Sequence, residues 1–342
     1  MKVTGLLAGL AAAAVVALWL APPVGFVLCA AVLVVAPPWG RTLAERAVIS
    51  VLVVLGIVAI AIPRASTIPI TPLTAHVGLS LITLAVVALR FIPRLRTPIP
   101  RPNAVDVLTG LLAGVNAWWL TSAYRGLDAK SVLSGLFFTG WDNSGHFVPF
   151  SNTIESGQTL WPTIDGSLAW DQWYPSLHTT LYALAQLASQ STPDIPSRPE
   201  LLWPYVLWTS VAFALSIAAL AWMASDLAQR GARLLRPDRR WLASRAPIVA
   251  FLAVAAFGVF GSPAWLFNYG FTNFVIAVAV LTTSGYLAGR SIASARRLGW
   301  FLVPLAALAI NGIWTPLILG LLPSGLVVWI ALWRVRRWLA PL

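Results

Sequence analysis

The sequence contains few charged residues and a single cysteine. Aspartate, glutamate, lysine and arginine together make up 10% of the 342 residues, whereas soluble domains average about 25%. Hydrophobic residues account for 58%, so the composition excludes an ordinary soluble domain and predicts a membrane protein. Cys29 lies inside an apolar run and has no second cysteine to pair with, which excludes an intrachain disulfide and a cysteine metal site.

Acidic residues are scarcer than basic ones. There are 11 acidic and 23 basic residues, and the formal net charge is +12. In a soluble protein this excess would indicate nucleic-acid binding. Here the basic residues stand in short clusters between apolar runs, as the topology signals of membrane proteins do. The charge pattern therefore predicts a membrane topology and no nucleic-acid partner.

Apolar runs recur along the whole chain. A transmembrane helix needs roughly 20 mainly apolar residues, and prolines and basic clusters separate the runs. We predict an all-α polytopic membrane protein with about ten transmembrane helices and one long outer loop that carries interface-lying helices. The predicted spans are residues 4–21, 24–37, 47–63, 74–93, 104–124, 201–223, 247–266, 271–287, 298–310 and 315–333.

One further apolar segment, residues 176–188, is short for a span. If it crossed the membrane, the arginines between 230 and 245 would fall outside, against the positive-inside rule. With this segment lying along the membrane surface, both termini are cytoplasmic and nineteen of the 23 basic residues lie inside. We therefore expect a multi-pass plasma-membrane protein whose loop at 125–200 is on the outer face.

The loop at residues 125–200 is the most polar part of the chain and holds seven of the eleven acidic residues. No internal repeat of the kind found in transporters is visible in the sequence. We divide the chain into an N-terminal four-helix transmembrane module, residues 1–103, and a core, residues 104–342, that includes the loop.

Within the loop, Asp142 and His146 are predicted to be a catalytic pair. A turn leads into a short helix whose apolar face is Phe147, Phe150 and Ile154, at spacings of three and four. Residues four apart share one face of a helix, so the carboxylate can orient and charge the imidazole, or both can hold a metal. The alternative is a capping aspartate and a histidine bonded to the backbone.

Aromatic rings and carboxylates are interleaved along the loop. Carbohydrate sites use this combination, because rings stack on the apolar faces of sugars while carboxylates accept hydrogen bonds from hydroxyls. The alternative is an aromatic belt at the lipid headgroups, with no specific ligand. The candidate substrate-binding residues in this group are Trp141, Asn143, Asp165, Trp170, Asp171, Trp173 and Tyr174.

Three further polar residues of the loop are candidates for the site. His178 could bring a second imidazole to Asp142 and His146, and one acid with two histidines can bind a metal. A divalent cation such as Mg or Mn therefore stays open, although no metal ligand is assigned. Arg125 and Lys130 are outer-face cations available for a phosphate, unless they only extend into solvent.

The segments Trp141-Asp142…His146 and Tyr174-Pro175…His178 resemble the GT-C class of membrane glycosyltransferases, most of all its multi-pass actinobacterial members. The resemblance covers the chain from about residue 104 onward. It implies a polyprenyl-phosphate-linked sugar donor, a cell-envelope glycan or lipid acceptor, and inversion at the sugar. It also implies that Asp142 is the base that deprotonates the acceptor hydroxyl. Asn143 stands where many GT-C enzymes carry a second acid, and the chain stops soon after its last span, so the resemblance is to a divergent or truncated member.

Two other functions remain open from the sequence. A transporter or flippase for a lipid-linked or polar solute needs polar groups within its spans, and the predicted spans hold almost none apart from Asp106. That residue is better explained as a carboxylate in the first turn of the fifth span, with Asn103 as N-cap. A non-catalytic membrane assembly subunit would fit the short chain.

Overall fold

The described part of the chain is helical. The computed structural model describes residues 2–61, 69–92, 95, 97–140, 142–158, 176–192, 194–235, 240–293 and 298–317. These residues form thirteen α-helices and no β-strand, which confirms the predicted all-α class. The helices are α1 (Lys2–Leu20), α2 (Pro22–Val35), α3 (Leu43–Ala61), α4 (Pro72–Ala88), α5 (Ala104–Ser122), α6 (Ala129–Thr139), α7 (Asp142–Ser156), α8 (Leu177–Ser189), α9 (Arg198–Leu235), α10 (Arg240–Phe260), α11 (Ser262–Asn268), α12 (Thr272–Ala293) and α13 (Leu298–Ile313).

Side-chain caps start several helices. The Asn103 side chain accepts from the Asp106 N–H at 2.9 Å, and the Asp106 carboxylate accepts from the Asn103 N–H at 3.0 Å. This capping box confirms the predicted start of α5. Thr71 and Thr74 form the same reciprocal pair at α4, and Asp128 caps α6 by accepting a backbone N–H at 2.7 Å. Each cap satisfies N–H groups that have no partner within their own helix.

Among the described residues, six helical stretches are long and apolar enough to cross a membrane. They are α3, α4 with the turn that follows it, α5, α9, α10 together with α11, and α12, and each coincides with a predicted span. Three further predicted spans fall on α1, α2 and α13, whose apolar stretches are shorter. The tenth lies outside the described residues beyond residue 317. Ten crossings therefore stay a prediction.

Several turns between helices lie together and are joined by hydrogen bonds. The Arg46 guanidinium donates to the Val35 carbonyl at 2.7 Å and to the Pro98 carbonyl at 2.8 Å. The Ala44 N–H donates to the Asp106 carboxylate at 2.8 Å. These contacts join α2, α3, α5 and the segment after α4. We call this the arginine-rich end, made of residues 35–46, 89–92, 95, 97–106, 226–235 and 290.

A second group of turns meets at the opposite ends of the same helices. The Ile70 N–H donates to the Gly157 carbonyl at 2.7 Å, and His76 Nε2 lies 3.1 Å from the Ala188 carbonyl oxygen. A Cβ on Gly312 would meet the Leu177 side chain at 2.9 Å. We call this the loop end, made of residues 69–76, 122–140, 142–158, 176–192, 194–198, 268–273 and 311–314. The predicted spans alternate in direction, and this alternation assigns the same turns to the same two sides.

The largest hydrophobic core draws on both predicted parts of the chain. Ile49 and Leu52 of α3 belong to the same buried cluster as Ala306 and Ile310 of α13. Gly56 lets the two helices approach closely, because a Cβ there would meet the Leu305 side chain at 2.6 Å. Residues 1–103 and 104–342 thus share a core, and the division between them stays a prediction.

Helix α8 is covered by other helices and is not exposed on the surface of the protein. It packs against α2, α3, α4, α7, α9 and α13, and eight of its thirteen residues are buried. Burial is tolerated because α8 contains no aspartate, glutamate, lysine or arginine, and because some of its polar groups find partners. The Thr179 hydroxyl donates to the Ser176 carbonyl at 2.8 Å, and Gln186 accepts from the Trp208 indole at 3.1 Å. Other helices thus cover α8, and its predicted position along the membrane surface stays a prediction.

Helices α3 and α9 extend beyond their predicted spans and bring charged residues with them. Glu45 lies 2.7 Å from Arg290. Asp226 lies 2.8 Å from Arg290 and 2.9 Å from Arg230, and it also accepts from the Tyr286 hydroxyl. These five residues form an ion network that joins α3, α9 and α12. The charged residues of the network lie in helical turns beyond the predicted spans, and the parts of these three helices that were predicted as spans contain no charged residue.

Candidate functional site

The predicted short helix exists as α7, and its apolar face is buried. Phe147, Phe150 and Ile154 are all part of the main core, which confirms the pattern read from their spacing. Phe147 and Phe150 pack against the Tyr205 ring, with centroids 5.5 and 5.7 Å apart. This packing fixes the rotation of α7 about its axis, so the side chains on its other face have defined directions.

Asp142, His146 and His178 form a contact chain at the loop end. His146 Nε2 lies 3.6 Å from Asp142 Oδ2, an ion-pair distance rather than a hydrogen bond. On the other side of the ring, His146 Nδ1 lies 3.1 Å from His178 Nε2. Both histidines are 2% exposed, whereas the Asp142 side chain is 17% exposed. The carboxylate is therefore the surface-reachable end of a buried chain of two imidazoles.

Burial and the neighbouring His146 determine the protonation state of His178. Burial, with a smaller contribution from His146, holds the pKa of His178 well below 6.5. The ring is therefore neutral at physiological pH and can donate or accept one hydrogen bond at Nε2. It also packs edge-on against Tyr182, with centroids 5.7 Å apart. Because burial raises the pKa of Tyr182, that side chain remains a neutral phenol.

The start of α7 is held from three directions. The Asn143 side-chain amide donates to the Leu136 carbonyl of α6 at 3.1 Å and accepts from the Tyr205 hydroxyl of α9 at 3.3 Å. The turn before α12 packs on the same point, because a Cβ on Gly270 would meet the Asn143 backbone nitrogen at 2.6 Å. Asn143 is buried, so it positions Asp142 from within the protein. Its predicted contact with substrate stays a prediction.

Arg125 and Lys130 do not converge on Asp142 in the described contacts. The Arg125 guanidinium lies 5.0 Å above the Trp118 ring and donates to Thr121 Oγ1 at 3.3 Å. Lys130 is exposed in the first turn of α6. Both positions fit the solvent-directed alternative, and phosphate binding by either residue stays a prediction.

Six of the predicted site residues lie outside the described residues, which leave out 141 and 159–175. They are Trp141, Asp165, Trp170, Asp171, Trp173 and Tyr174. Substrate binding by these aromatic and acidic residues stays a prediction.

Sequence reasoning missed the contacts that tie the two arms of the loop together. Arg198 Nε lies 2.9 Å from Glu155 Oε1, and its Nη2 donates to Asn152 at 2.6 Å. This links the end of α7 to the start of α9. The pairing has no local sequence signal, since the partners are more than forty residues apart.

The described residues do not fit a bound divalent cation. Mg and Mn prefer oxygen ligands, and the site combines one carboxylate with two imidazoles that face each other at 3.1 Å. Within the part of the chain that the structure describes, no group of three or more His, Cys, Asp or Glu side chains could hold a metal ion. No chemical step is therefore derived through a metal.

The Asp142 carboxylate can accept a proton at the surface, and the packed His146 and His178 rings behind it fix its position. No family model, curated protein or solved structure matches this chain.

Proposed function

We propose that this chain is a membrane glycosyltransferase of the GT-C kind that transfers a sugar from a polyprenyl-phosphate donor to a cell-envelope acceptor. The observation that carries the proposal is the contact chain from Asp142 through His146 to His178 at the loop end. A general base must be reachable by substrate and held in a fixed orientation. Asp142 meets both conditions, because it is part-exposed and lies at the packed start of α7.

The proposed reaction moves one proton and one glycosyl group. The Asp142 carboxylate takes the proton of the acceptor hydroxyl, and the oxygen attacks the anomeric carbon of the donor sugar. The bond from that carbon to the phosphate oxygen breaks, and the polyprenyl phosphate leaves with the electron pair. His146, 3.6 Å from the Asp142 carboxylate, helps to fix its position, and neutral His178 keeps the His146 ring in place. Attack opposite the leaving group inverts the sugar.

The direct test is Asp142→Asn, assayed by turnover of a polyprenyl-phosphate sugar in membranes. General-base catalysis contributes about 100- to 10,000-fold, so we expect a loss in that range with unchanged protein level. Asp128→Asn is the matched control, since Asp128 is an exposed aspartate of the same loop and asparagine serves equally well as an N-cap. Full turnover by a folded Asp142→Asn protein would refute the proposed base.

The same proposal places the protein in the plasma membrane, with the loop end outside and both termini in the cytoplasm. The support is the separation of the two ends and the concentration of arginine at one of them. Cysteines introduced as Lys130→Cys and Arg101→Cys test the orientation, since both positions are exposed. An impermeant maleimide should label intact cells only at position 130. Labelling only at position 101 would show that the orientation is the reverse of the proposed one. Asp142 would then face the cytoplasm and could not act on a substrate at the outer face.

One observation favours a transporter as a second candidate. Glu45, Asp226 and Arg290 lie within helices that are long and apolar enough to cross a membrane, and charged groups in such helices often line transport pathways. A transporter would move its solute in liposomes after Asp142→Asn and would stop after Asp226→Asn. A glycosyltransferase would lose sugar turnover after Asp142→Asn and keep it after Asp226→Asn.

A further inference from the structure

An apolar groove runs between α2, α3 and α4 near the arginine-rich end. Its volume is about 210 Å³, and its walls include Trp39, Val53, Ile57, Ile82 and Ala85. Ile57 and Ala85 are exposed, so the groove opens sideways on the faces of two helices that are long and apolar enough to cross a membrane. Pockets for drug-sized ligands have volumes from about 300 to 1,000 Å³. This groove is smaller, and its size suits part of a single hydrocarbon chain.

The walls of the groove offer little to a polar solute. Its one hydroxyl, on Ser50, already donates to the Leu33 carbonyl at 2.7 Å. An apolar chain would therefore fill the groove without leaving a polar group unpaired.

Two buried guanidinium groups belong to residues close in sequence to the groove-lining residues Ser50 and Leu89. Arg46 is one helical turn before Ser50, Arg90 directly follows Leu89, and both arginines are at most 3% exposed. Their described hydrogen bonds go to carbonyl and hydroxyl oxygens at the end of α2 and in the segment after α4. In the described residues neither arginine forms an ion pair with a carboxylate.

In the described residues the carboxylates near this point already have other partners, and Asp106 accepts from the Ala44 and Asn103 N–H groups. The nearest carboxylate in sequence, Glu45, is held 2.7 Å from Arg290, which already has an ion network of its own. The C-terminus of α2 supplies roughly half a negative charge, against two positive charges. In addition, Trp39 Nε1 and Arg90 Nη2 are buried donors without an acceptor in the described part of the chain. Buried donors of this kind point to a missing ion or ligand.

We propose that the groove binds an anionic phospholipid, with one acyl chain between α3 and α4 and its phosphate at the arginine-rich end. Trp39 is half-buried and Arg41 is exposed, so the phosphate has a surface-reachable place at the mouth of the charged region. This site is at the opposite end of the helices from Asp142, and it does not depend on the proposed transfer reaction.

The test uses the full chain purified in a non-ionic detergent and mixed with phosphatidylglycerol, phosphatidylcholine or inorganic phosphate. Native mass spectrometry counts the bound lipid, and thermal unfolding reports stabilisation. Each basic residue contributes a factor of about five to the binding of an anionic lipid. Arg41 is exposed and Arg90 Nη2 has no described acceptor, so counting these two arginines we expect one phosphatidylglycerol per chain, bound roughly 25-fold more tightly than phosphatidylcholine.

Two variants locate the site. Ala85→Trp fills the groove and should reduce phosphatidylglycerol binding at least tenfold, whereas Leu81→Trp, on the exposed face of α4 one turn away, should leave it unchanged. Arg41→Gln should lower the preference for the anionic lipid about fivefold. Equal binding of both lipids, unchanged binding by Ala85→Trp, absence of any bound lipid, or full stabilisation by inorganic phosphate alone would each overturn the proposal.

Discussion

Replacing Gly270 with alanine tests how the start of α7 is held. Gly270 has a φ of +89°, in the left-handed region, and an added Cβ would lie 2.6 Å from the Asn143 nitrogen and 2.9 Å from the Asp142 carbonyl carbon. The left-handed conformation costs an alanine about 1–2 kcal/mol. Forcing a methyl group against packed backbone costs about a further 1–3 kcal/mol. The free energy of unfolding should therefore fall by roughly 2–5 kcal/mol.

The same substitution should reduce turnover of the polyprenyl-phosphate sugar, because the Cβ pushes on the residue that carries the proposed base. A displacement of about 1 Å can cost about 100-fold in rate. The assay pairs unfolding by SDS in mixed micelles with turnover per folded molecule. The two readouts separate a loss of stability from a loss of positioning.

Two other glycines serve as controls for Gly270. Gly126 has a φ of +74° but no heavy atom within 4 Å of an added Cβ, so Gly126→Ala should cost only the left-handed strain. Gly285, inside α12, has open space, and alanine there should cost nothing and gain up to about 1 kcal/mol of helix propensity. If Gly270→Ala and Gly126→Ala lose equal stability and both keep full turnover, the contact of this turn with α7 does not position Asp142.

Two further predictions concern charge. Asp226→Asn removes a carboxylate that accepts from three donors and should lower the free energy of unfolding by about 3–5 kcal/mol. Glu155→Gln breaks an exposed ion pair with Arg198 and should cost about 1 kcal/mol or less; equal losses would show that the ion network adds no stability. The folded pKa of His178 lies well below its unfolded value of 6.5, so the unfolded chain binds the proton first as the pH falls. Stability should be full above pH 6.5 and decrease below it, by up to about 1.4 kcal/mol per pH unit. His178→Gln should flatten that slope in pH-dependent unfolding, and an unchanged slope would assign the proton to another group.

The features that the sequence predicted correctly are local ones. The apolar face of α7, the pairing of Asp142 with His146 and the cap of α5 each depend on residues three or four positions apart. Within such a distance helical geometry fixes the neighbours, and spacing alone predicts the contact.

The features that the sequence did not predict depend on distant residues. The pairing of Glu45 with Arg290 spans 245 positions, and α8 is covered by helices from both halves of the chain. A polar residue such as Thr179 fits a wet surface as well as a buried helix, because in both places it forms a hydrogen bond. Its burial follows only from knowing which helices surround it.

The two polar regions of the protein are connected through α9. Tyr205 at the loop end and Asp226 in the ion network belong to this one helix, and a rise of about 1.5 Å per residue places them roughly 30 Å apart. Sites this far apart with no shared partner affect stability additively, so Gly270→Ala and Asp226→Asn should lose stability independently. An enzyme confined to the loop end requires nothing more of α9 than rigidity. A transporter would need α9 to change its contacts at both ends together, and additive losses would therefore favour the glycosyltransferase.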